Sequence, residues 1–277
     1  MKISVHIDEF KQEMKRRNFS ENSIKNYVAC LNVFFAQSKS DHPKNIHERE
    51  IKEFLVRFNT PNTQRNYHSA IKKYFEVVLG QKDKFKYIPY ARKERKLPIV
   101  LSVAEIQRMF SVCGNIKHKC ILGVLYGCGL RVSELINLKW KHIDRHRMVI
   151  NVVCGKGKKD RQVPLPDGLL HLLESYCRLY KLQSTTYVFS GQFGEQYSSM
   201  SVGKVIKSLA KKAGIGKRVY THLIRHCTGT HLVENGTDIN LIQKIFGHSS
   251  VKTTAIYTHI SHNIISKINS PINQIAL

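Results

Sequence analysis

Acidic residues are scarce in this chain of 277 residues, in which 20 Asp and Glu stand against 45 Lys and Arg. The formal net charge is +25 and the isoelectric point lies near 9.9. Solubility does not require so large an excess, and a surface of this kind is typical of proteins that bind the phosphate backbone of a nucleic acid. A basic surface that is merely solvated is the alternative.

Paired cysteines and long apolar runs are also missing. The seven cysteines form no C-x-x-C pair, and their odd number argues against a disulfide framework, so we expect reduced thiols. No apolar run approaches the roughly 20 residues of a membrane-spanning helix. The first segment, MKISVHIDEFKQEMKRR, lacks the apolar core of a signal peptide. These absences predict a cytoplasmic protein with no membrane partner.

No metal or nucleotide motif is complete. His222 and His226 have the spacing of an H-E-x-x-H zinc helix, but Leu223 occupies the glutamate position. No carboxylate pair indicates a two-metal nuclease. The GKGKK run around Lys156 lacks the spacing of a phosphate-binding P-loop. We therefore predict neither a metal nor a small-molecule cofactor.

What the chain does contain begins with a small helical bundle. Apolar residues recur every three to four positions from Ile24 to Phe35, and a second stripe runs from Tyr67 to Val78. Shorter apolar patterns over residues 7–14 and 51–58 bring the count to four helices. The periodicity therefore predicts a four-helix N-terminal domain over residues 1–82.

A change in composition separates this domain from the rest of the chain. Residues 83–97 are dense in Lys, Arg and Pro, which predicts a basic interdomain linker because proline interrupts helices and like charges resist compaction. Helical patterns return over residues 98–277, and two apolar strands around CGKGKKD predict a β-hairpin with Lys156 in its turn. Gly247 is expected to end a helix just before His248. The predicted fold class is mainly α, with a small β-hairpin or sheet in the second domain.

This second domain carries a set of residues suited to phosphoryl transfer, namely Arg131, Lys156, His222, Arg225, His248 and Tyr257. Guanidinium groups match the two non-bridging oxygens of a phosphodiester, and a phenolic oxygen can store the energy of a broken bond in a phosphoester. His222 and Arg225 lie one helical turn apart, after Thr221 as a possible cap, so both can reach one phosphate. Taken singly, each residue has a plainer interpretation as a solvated charge, a packed aromatic or a structural histidine.

In the order Arg, Lys, His-x-x-Arg, His, Tyr, these segments closely resemble the tyrosine recombinase (phage integrase) family, above all its compact Xer-like members. The resemblance covers nearly the whole chain. It implies a SAM-like core-binding domain over residues 1–82 and an α-rich catalytic domain with a C-terminal tail over residues 98–277. It further implies cleavage and rejoining of DNA strands through a 3′-phosphotyrosyl intermediate, without metal or ATP.

The resemblance and the chemistry of the side chains together assign roles. Tyr257 is expected to be the nucleophile, and Arg131 and Arg225 the clamp on the scissile phosphate. Lys156 is expected to protonate the leaving 5′ oxygen, with a nonspecific phosphate grip as the alternative. Which of the two candidate histidines accepts the tyrosine proton stays open. Glu134, one turn beyond Arg131, is expected to orient that arginine or a neighbouring histidine, with an ordinary salt bridge as the alternative.

The expected partners also follow from the resemblance. They are double-stranded DNA and further subunits in a tetrameric synapse, either copies of this chain or a second recombinase. Chromosome dimer resolution and the integration or excision of a mobile element are both consistent with the residues. Two alternatives remain: a type IB-like topoisomerase, which uses similar chemistry without synapsis, and a catalytically silent DNA-binding protein with the same fold.

Overall fold

The structure, a computed structural model, describes residues 3–40, 42–92, 99–153, 160–183, 186–191, 195–248 and 254. The chain divides into two compact units, Met1–Lys96 and Leu97–Leu277. Each unit has its own apolar core. In the described part of the chain, helices predominate and no helix is long and apolar enough to cross a membrane.

Four α-helices build the first unit, as the periodicity predicts. They are α1 (Ile3–Arg16), α2 (Glu21–Gln37), α3 (Glu48–Val56) and α4 (Pro61–Val77). The predicted stripes supply the core, in which Phe34 makes an edge-to-face contact with Phe54, and Phe35 makes one with Tyr74. Pro61 occupies the first turn of α4, where its missing N–H costs no hydrogen bond. The fold class of this domain is thereby confirmed.

Beyond α4 the chain stays packed on the first unit for several residues. A short 3-10 helix covers Lys82–Phe85. Phe85 and Ile88 are buried in the same core as α1 to α4. Nε2 of His68, on α4, lies 2.8 Å from the carbonyl oxygen of Ile88. The first residues of the segment that composition assigns to the linker therefore have apolar partners, which charge and proline content alone do not reveal.

The second unit is also mainly helical. Its helices are α5 (Val103–Ser111), α6 (Ile116–Gly127), α7 (Val132–Ile136), α8 (Asp167–Tyr180), α9 (Ser199–Lys212), α10 (Thr221–Glu234) and α11 (Ile239–Phe246). Helix α6 is apolar over most of its surface because it packs against α7, α8, α9 and α10. Helix α6 ends at Gly127, and the short segment that follows it leads to Arg131.

The β element is a three-stranded antiparallel sheet in the order β1 (Ile143–Asp144), β2 (Val149–Val152) and β3 (Arg161–Pro164). Strands β2 and β3 are the predicted hairpin, with Ile150 opposite Val163 and both side chains buried. Strand β1 was not predicted, because two residues are too few for an alternating pattern. The hairpin turn with Lys156 lies outside the described residues.

Interruptions of the helical pattern determine where α7, α10 and α11 begin or end, and these helix ends carry the candidate site. Helix α6 ends at Gly127, and Arg131 is the N-cap of α7. Asp238 caps α11, which ends at Gly247 in a left-handed conformation (φ 59°), as predicted. The expectation that Thr221 caps α10 is wrong: Tyr220 is the N-cap and Thr221 the first helical residue, because the chain is still extended at Tyr220.

Candidate active site

Arg131 stands at the start of α7, where Glu134 holds both its backbone and its side chain. Its backbone N–H donates to Glu134 Oε2 at 2.8 Å and its Nη1 donates to Glu134 Oε1 at 2.7 Å. Its Nη2 donates to the carbonyl oxygen of Gly247 at 3.2 Å. The side chain remains 28% exposed. A guanidinium with these bonds is oriented before any substrate arrives, yet it still reaches solvent.

Arg225 is the second clamp candidate, and it is only 1% exposed. From α10 its Nη1 donates to the carbonyl oxygen of Gly129, and its Nη2 donates to the carbonyl oxygen of Phe246 at 2.6 Å. The guanidinium carbon lies 4.2 Å above the Phe246 ring. A buried charge needs such partners to offset its desolvation. A guanidinium also has five N–H donors, so these bonds are compatible with donation to a phosphate.

Gly129 makes this arrangement possible. Its φ is +60°, and a Cβ atom at this position would lie 2.6 Å from Cε1 of Phe246. Only glycine combines that backbone conformation with so close an approach of an aromatic ring. The GCG run thus lets the chain pass directly over Phe246, the ring that supports Arg225.

Glu134 links the arginines. Its carboxylate receives the two Arg131 bonds and a bidentate pair from Arg161, and it lies 4.0 Å from Nη1 of Arg225. Burial by itself raises the pKa of Glu134, but the hydrogen bonds and charges of Arg161 and Arg131 outweigh burial and hold the pKa at about 2. Glu134 is therefore ionised at neutral pH. Its predicted role in orienting Arg131 matches these contacts.

Three imidazoles surround the arginines. His222 and His226, one turn apart on α10, have ring centroids 4.4 Å apart. His248 Nε2 is 3.3 Å from Nη2 of Arg225, and its Nδ1 is 3.0 Å from the Thr254 hydroxyl oxygen. Because arginine only donates, Nε2 of His248 accepts, and Nδ1 carries the proton and donates to Thr254.

Burial and the nearby arginines also decide the charge of these rings. Burial, followed by the positive charges of Arg225 and Arg131, lowers the pKa of His248 to about 4. Burial lowers the pKa of His226 to about 4 as well, and the same two causes lower the pKa of His222. At neutral pH the rings are therefore uncharged in the DNA-free protein, and each can accept a proton or share one.

The structure thus gathers four of the six predicted site residues, with Arg131, His222 and His248 near Arg225. Lys156 and Tyr257 lie outside the described residues, and their roles stay predictions. Sequence reasoning missed Arg161 and Thr254, which are 27 and 6 residues away in sequence from the side chains they contact. No local pattern signals such pairs. Among the described residues, no group of three or more His, Cys, Asp or Glu side chains is arranged to hold a metal ion.

Comparison with known proteins identifies the family to which this chain is similar. Residues 100–263 match the model of the phage integrase family, and residues 7–84 match the phage integrase N-terminal SAM-like domain. The tyrosine recombinase XerD of Oceanobacillus iheyensis is 33% identical over 269 residues, covering 88% of this chain and 90% of its own. The tyrosine recombinase XerA of Pyrococcus horikoshii is 32% identical, covering 92% and 89%.

Solved structures agree with this. A crystal structure of XerA recombinase superimposes with a TM-score of 0.57 at 27% identity, over 99% of this chain and 98% of that one. The XerH recombinase in its post-cleavage complex with palindromic difH has the same fold, with a TM-score of 0.74 at 23% identity over 91% and 80% of the two chains. The chain belongs to the phage integrase family. Within it, the chain is a tyrosine recombinase of the Xer-like kind.

Proposed function

We propose that this recombinase cuts and rejoins double-stranded DNA at specific sites through a covalent bond between Tyr257 and the 3′ phosphate. The observation that carries the proposal is the pair Arg131 and Arg225, both bound to the backbone of residues 246–247 and both facing Glu134. Two guanidinium groups held in this way suit the two non-bridging oxygens of one phosphodiester.

In the proposed step one bond to phosphorus forms as another breaks, and each proton has a donor and an acceptor. The phenolic oxygen of Tyr257 forms a bond to phosphorus, and the bond from phosphorus to the 5′ oxygen breaks. The phenolic proton passes to a neutral imidazole, His222 or His248, and the leaving 5′ oxygen takes a proton from Lys156. The extra negative charge on the phosphoryl oxygens in the transition state is stabilised by Arg131 and Arg225. Because the phosphotyrosyl bond keeps the energy of the broken bond, the reverse reaction rejoins strands without ATP.

The arginines supply the positive charge that a metal ion supplies in other phosphoryl transfer enzymes. They are permanently charged, and their backbone bonds orient them before the substrate binds, so little reorganisation is needed during the reaction. We therefore propose that cleavage needs neither a metal nor a cofactor.

We also propose a division of labour between the two units. The N-terminal domain, residues 1–82 with the packed residues up to 88, and the catalytic domain of residues 98–277 each bind DNA, and the positive charge of the segment between them adds to the attraction for phosphates. Lambda integrase was solved as a dimer bound to a core site, which supports DNA and further subunits as partners. A tetrameric synapse, of this chain alone or with a second recombinase, suits strand exchange. Its place is the cytoplasm, where the DNA substrate lies.

Covalent trapping on DNA tests the proposal. A nicked duplex that loses a short 5′ fragment on cleavage traps the intermediate, which denaturing gels separate from free protein. We expect an adduct with the wild-type chain, in EDTA as well as in Mg²⁺. Tyr257→Phe removes only the nucleophilic oxygen, so it should bind DNA with unchanged affinity and give no adduct. An adduct from Tyr257→Phe would reject Tyr257 as the nucleophile, and dependence on Mg²⁺ at the chemical step would reject the mechanism.

An assay with two copies of the target site then distinguishes a recombinase from an enzyme that only relaxes supercoiled DNA. A site-specific recombinase should exchange strands between two copies of its target site, found by sequencing the DNA that is recovered covalently bound. Relaxation of any supercoiled plasmid at equal rates, without such exchange, would instead indicate a type IB-like topoisomerase. Relatives of similar identity include the tyrosine recombinase XerD and a putative integrase/recombinase of Sinorhizobium fredii. Chromosome dimer resolution and the integration or excision of a mobile element both stay predictions.

A further inference from the structure

Arg161, the first residue of β3, is not among the predicted site residues, yet it contacts the groups that orient them. Its Nη1 and Nη2 donate to the two oxygens of Glu134 at 2.9 and 2.8 Å. Its Nε donates to the carbonyl oxygen of Ile245 at 2.6 Å. The side chains of Arg161 and Glu134 are each 8% exposed. Such a buried bidentate pair differs from the exposed ion pairs elsewhere on the surface, which contribute little.

The ion pair between Arg161 and Glu134 sets how much negative charge Glu134 exerts on Arg131 and Arg225. The carboxylate contacts Arg131 directly and lies 4.0 Å from Arg225. With Arg161 in place, part of the negative charge is neutralised by a guanidinium whose Nη1, Nη2 and Nε atoms already donate to Glu134 and to the carbonyl oxygen of Ile245. Without Arg161 the whole carboxylate charge would act on Arg131 and Arg225, and so weaken their attraction for the phosphoryl oxygens in a poorly screened site.

The Nε bond extends this control to the end of α11. Ile245 is followed by Phe246 and Gly247, whose carbonyl oxygens accept from Arg225 and Arg131. A Cβ atom on Gly247 would lie 3.0 Å from Cδ of Arg161, so the side chain of Arg161 packs closely against this turn. One guanidinium thus holds both the carboxylate and the backbone segment that orient the clamp.

We propose that Arg161 is a positioning residue of the recombinase: it balances the charge of Glu134 and fixes the 245–247 segment, so that Arg131 and Arg225 meet the scissile phosphate fully charged and correctly oriented. It does not touch the phosphate. This inference rests on the proposed function.

Single-turnover cleavage of the trapping duplex at saturating protein tests it. Arg161→Ala should bind DNA as the wild type does but form adduct about 100-fold more slowly, the size of effect that misplaced catalytic groups produce. Arg145→Ala is the matched control, because Arg145 makes an exposed ion pair with Glu174 in the same unit and should cleave at the wild-type rate. If Arg161→Ala melts below the assay temperature, Arg161→Gln replaces it, since glutamine also removes the charge and the bidentate pair but fills more of the space.

A second substitution, at Glu134, distinguishes a charge-balancing role of Arg161 from a merely structural one. Removing the unbalanced charge with Glu134→Gln on top of Arg161→Ala should restore cleavage about tenfold relative to Arg161→Ala alone, a coupling typical of residues in one network. A double variant no faster than Arg161→Ala would overturn the charge-balancing role. Wild-type cleavage by Arg161→Ala, or by Arg161→Gln where it replaces it, would overturn the inference and leave the proposed function intact. A wild-type chain that forms no adduct would overturn both.

Discussion

Burial at single residues decides the chemistry of this site more than residue type does. The 14 histidines of the chain look alike in sequence, yet His226 and His248 have pKa values lowered to about 4. The cause is their position: both are removed from water, and both lie near Arg225. Arg225 in turn is retained as a buried cation because carbonyl oxygens and the Phe246 ring surround it.

These lowered pKa values predict how stability depends on pH in the absence of DNA. The unfolded chain protonates His226 and His248 near pH 6.5, whereas the folded chain does so only near pH 4. Between these values the unfolded state binds more protons, so the stability present above pH 6.5 is lost as the pH falls toward 4. We expect the melting temperature to drop through this window. His248→Asn should flatten the drop, whereas a change at the exposed His171 serves as control. A melting temperature constant from pH 7 to 4.5 would contradict the assignment.

At the scale of elements, the site is built from the ends of helices. The start of α7 carries Arg131, the first turns of α10 carry His222 and Arg225, and the segment that follows α11 carries His248. Helix ends have backbone groups without partners in the helix, and here the carbonyl oxygens of residues 246 and 247 are bound by arginines. Arg131 and Arg225 therefore also supply hydrogen-bond donors to the end of α11.

Two glycines offer a matched test of this architecture. Gly247 is left-handed, and a Cβ atom there would lie 3.0 Å from Arg161, whereas a Cβ on Gly203, inside α9, would meet nothing within 4 Å. Gly247→Ala should destabilise the catalytic domain by about 1 to 2 kcal/mol and slow cleavage. Gly203→Ala should stabilise it by about 1 kcal/mol and leave cleavage unchanged. Urea denaturation and the trapping assay measure both. Equal effects of the two changes would show that the α11 turn has no special role.

At the scale of the whole molecule, the two compact units have separate cores and share an excess of Lys and Arg over Asp and Glu. The first unit matches the SAM-like domain model and the second the phage integrase model. The net charge of +25 exceeds what solubility requires. We attribute it to contacts with the phosphate backbone, in which both units take part.

Salt dependence tests this attribution. Each phosphate neutralised by Lys or Arg releases counterions, so the logarithm of the binding constant should fall linearly with the logarithm of salt concentration. For six to ten contacts we expect a loss of about 10³ to 10⁵ in affinity between 50 and 200 mM salt. Gel-shift titrations of the full chain measure it, and a fragment of residues 1–92 should give a smaller slope because it offers fewer contacts. A flat dependence would remove the argument from charge.

Local sequence determined much of this protein. The apolar periodicity of α2 and α4, the glycine breaks after α6 and at Gly247, and the hairpin pattern of β2 and β3 each depend on neighbouring residues only. The fold class was therefore predictable, and it is confirmed. The choice of Arg131, His222, Arg225 and His248 came from their order along the chain, and their catalytic roles stay predictions, as do those of Lys156 and Tyr257.

Tertiary structure alone decided the rest. Glu134 meets Arg161 across 27 residues, Arg131 meets Gly247 across 116, and the packing of Phe85 and Ile88 extends the first unit past the charge boundary that composition marks. Hydrogen bonds and desolvation act through space, and they set the pKa of Glu134 and of His248 by what is packed around each group. A linear sequence identifies the groups that can hold a phosphate, whereas folding determines which of them are charged, which are neutral and which way they point.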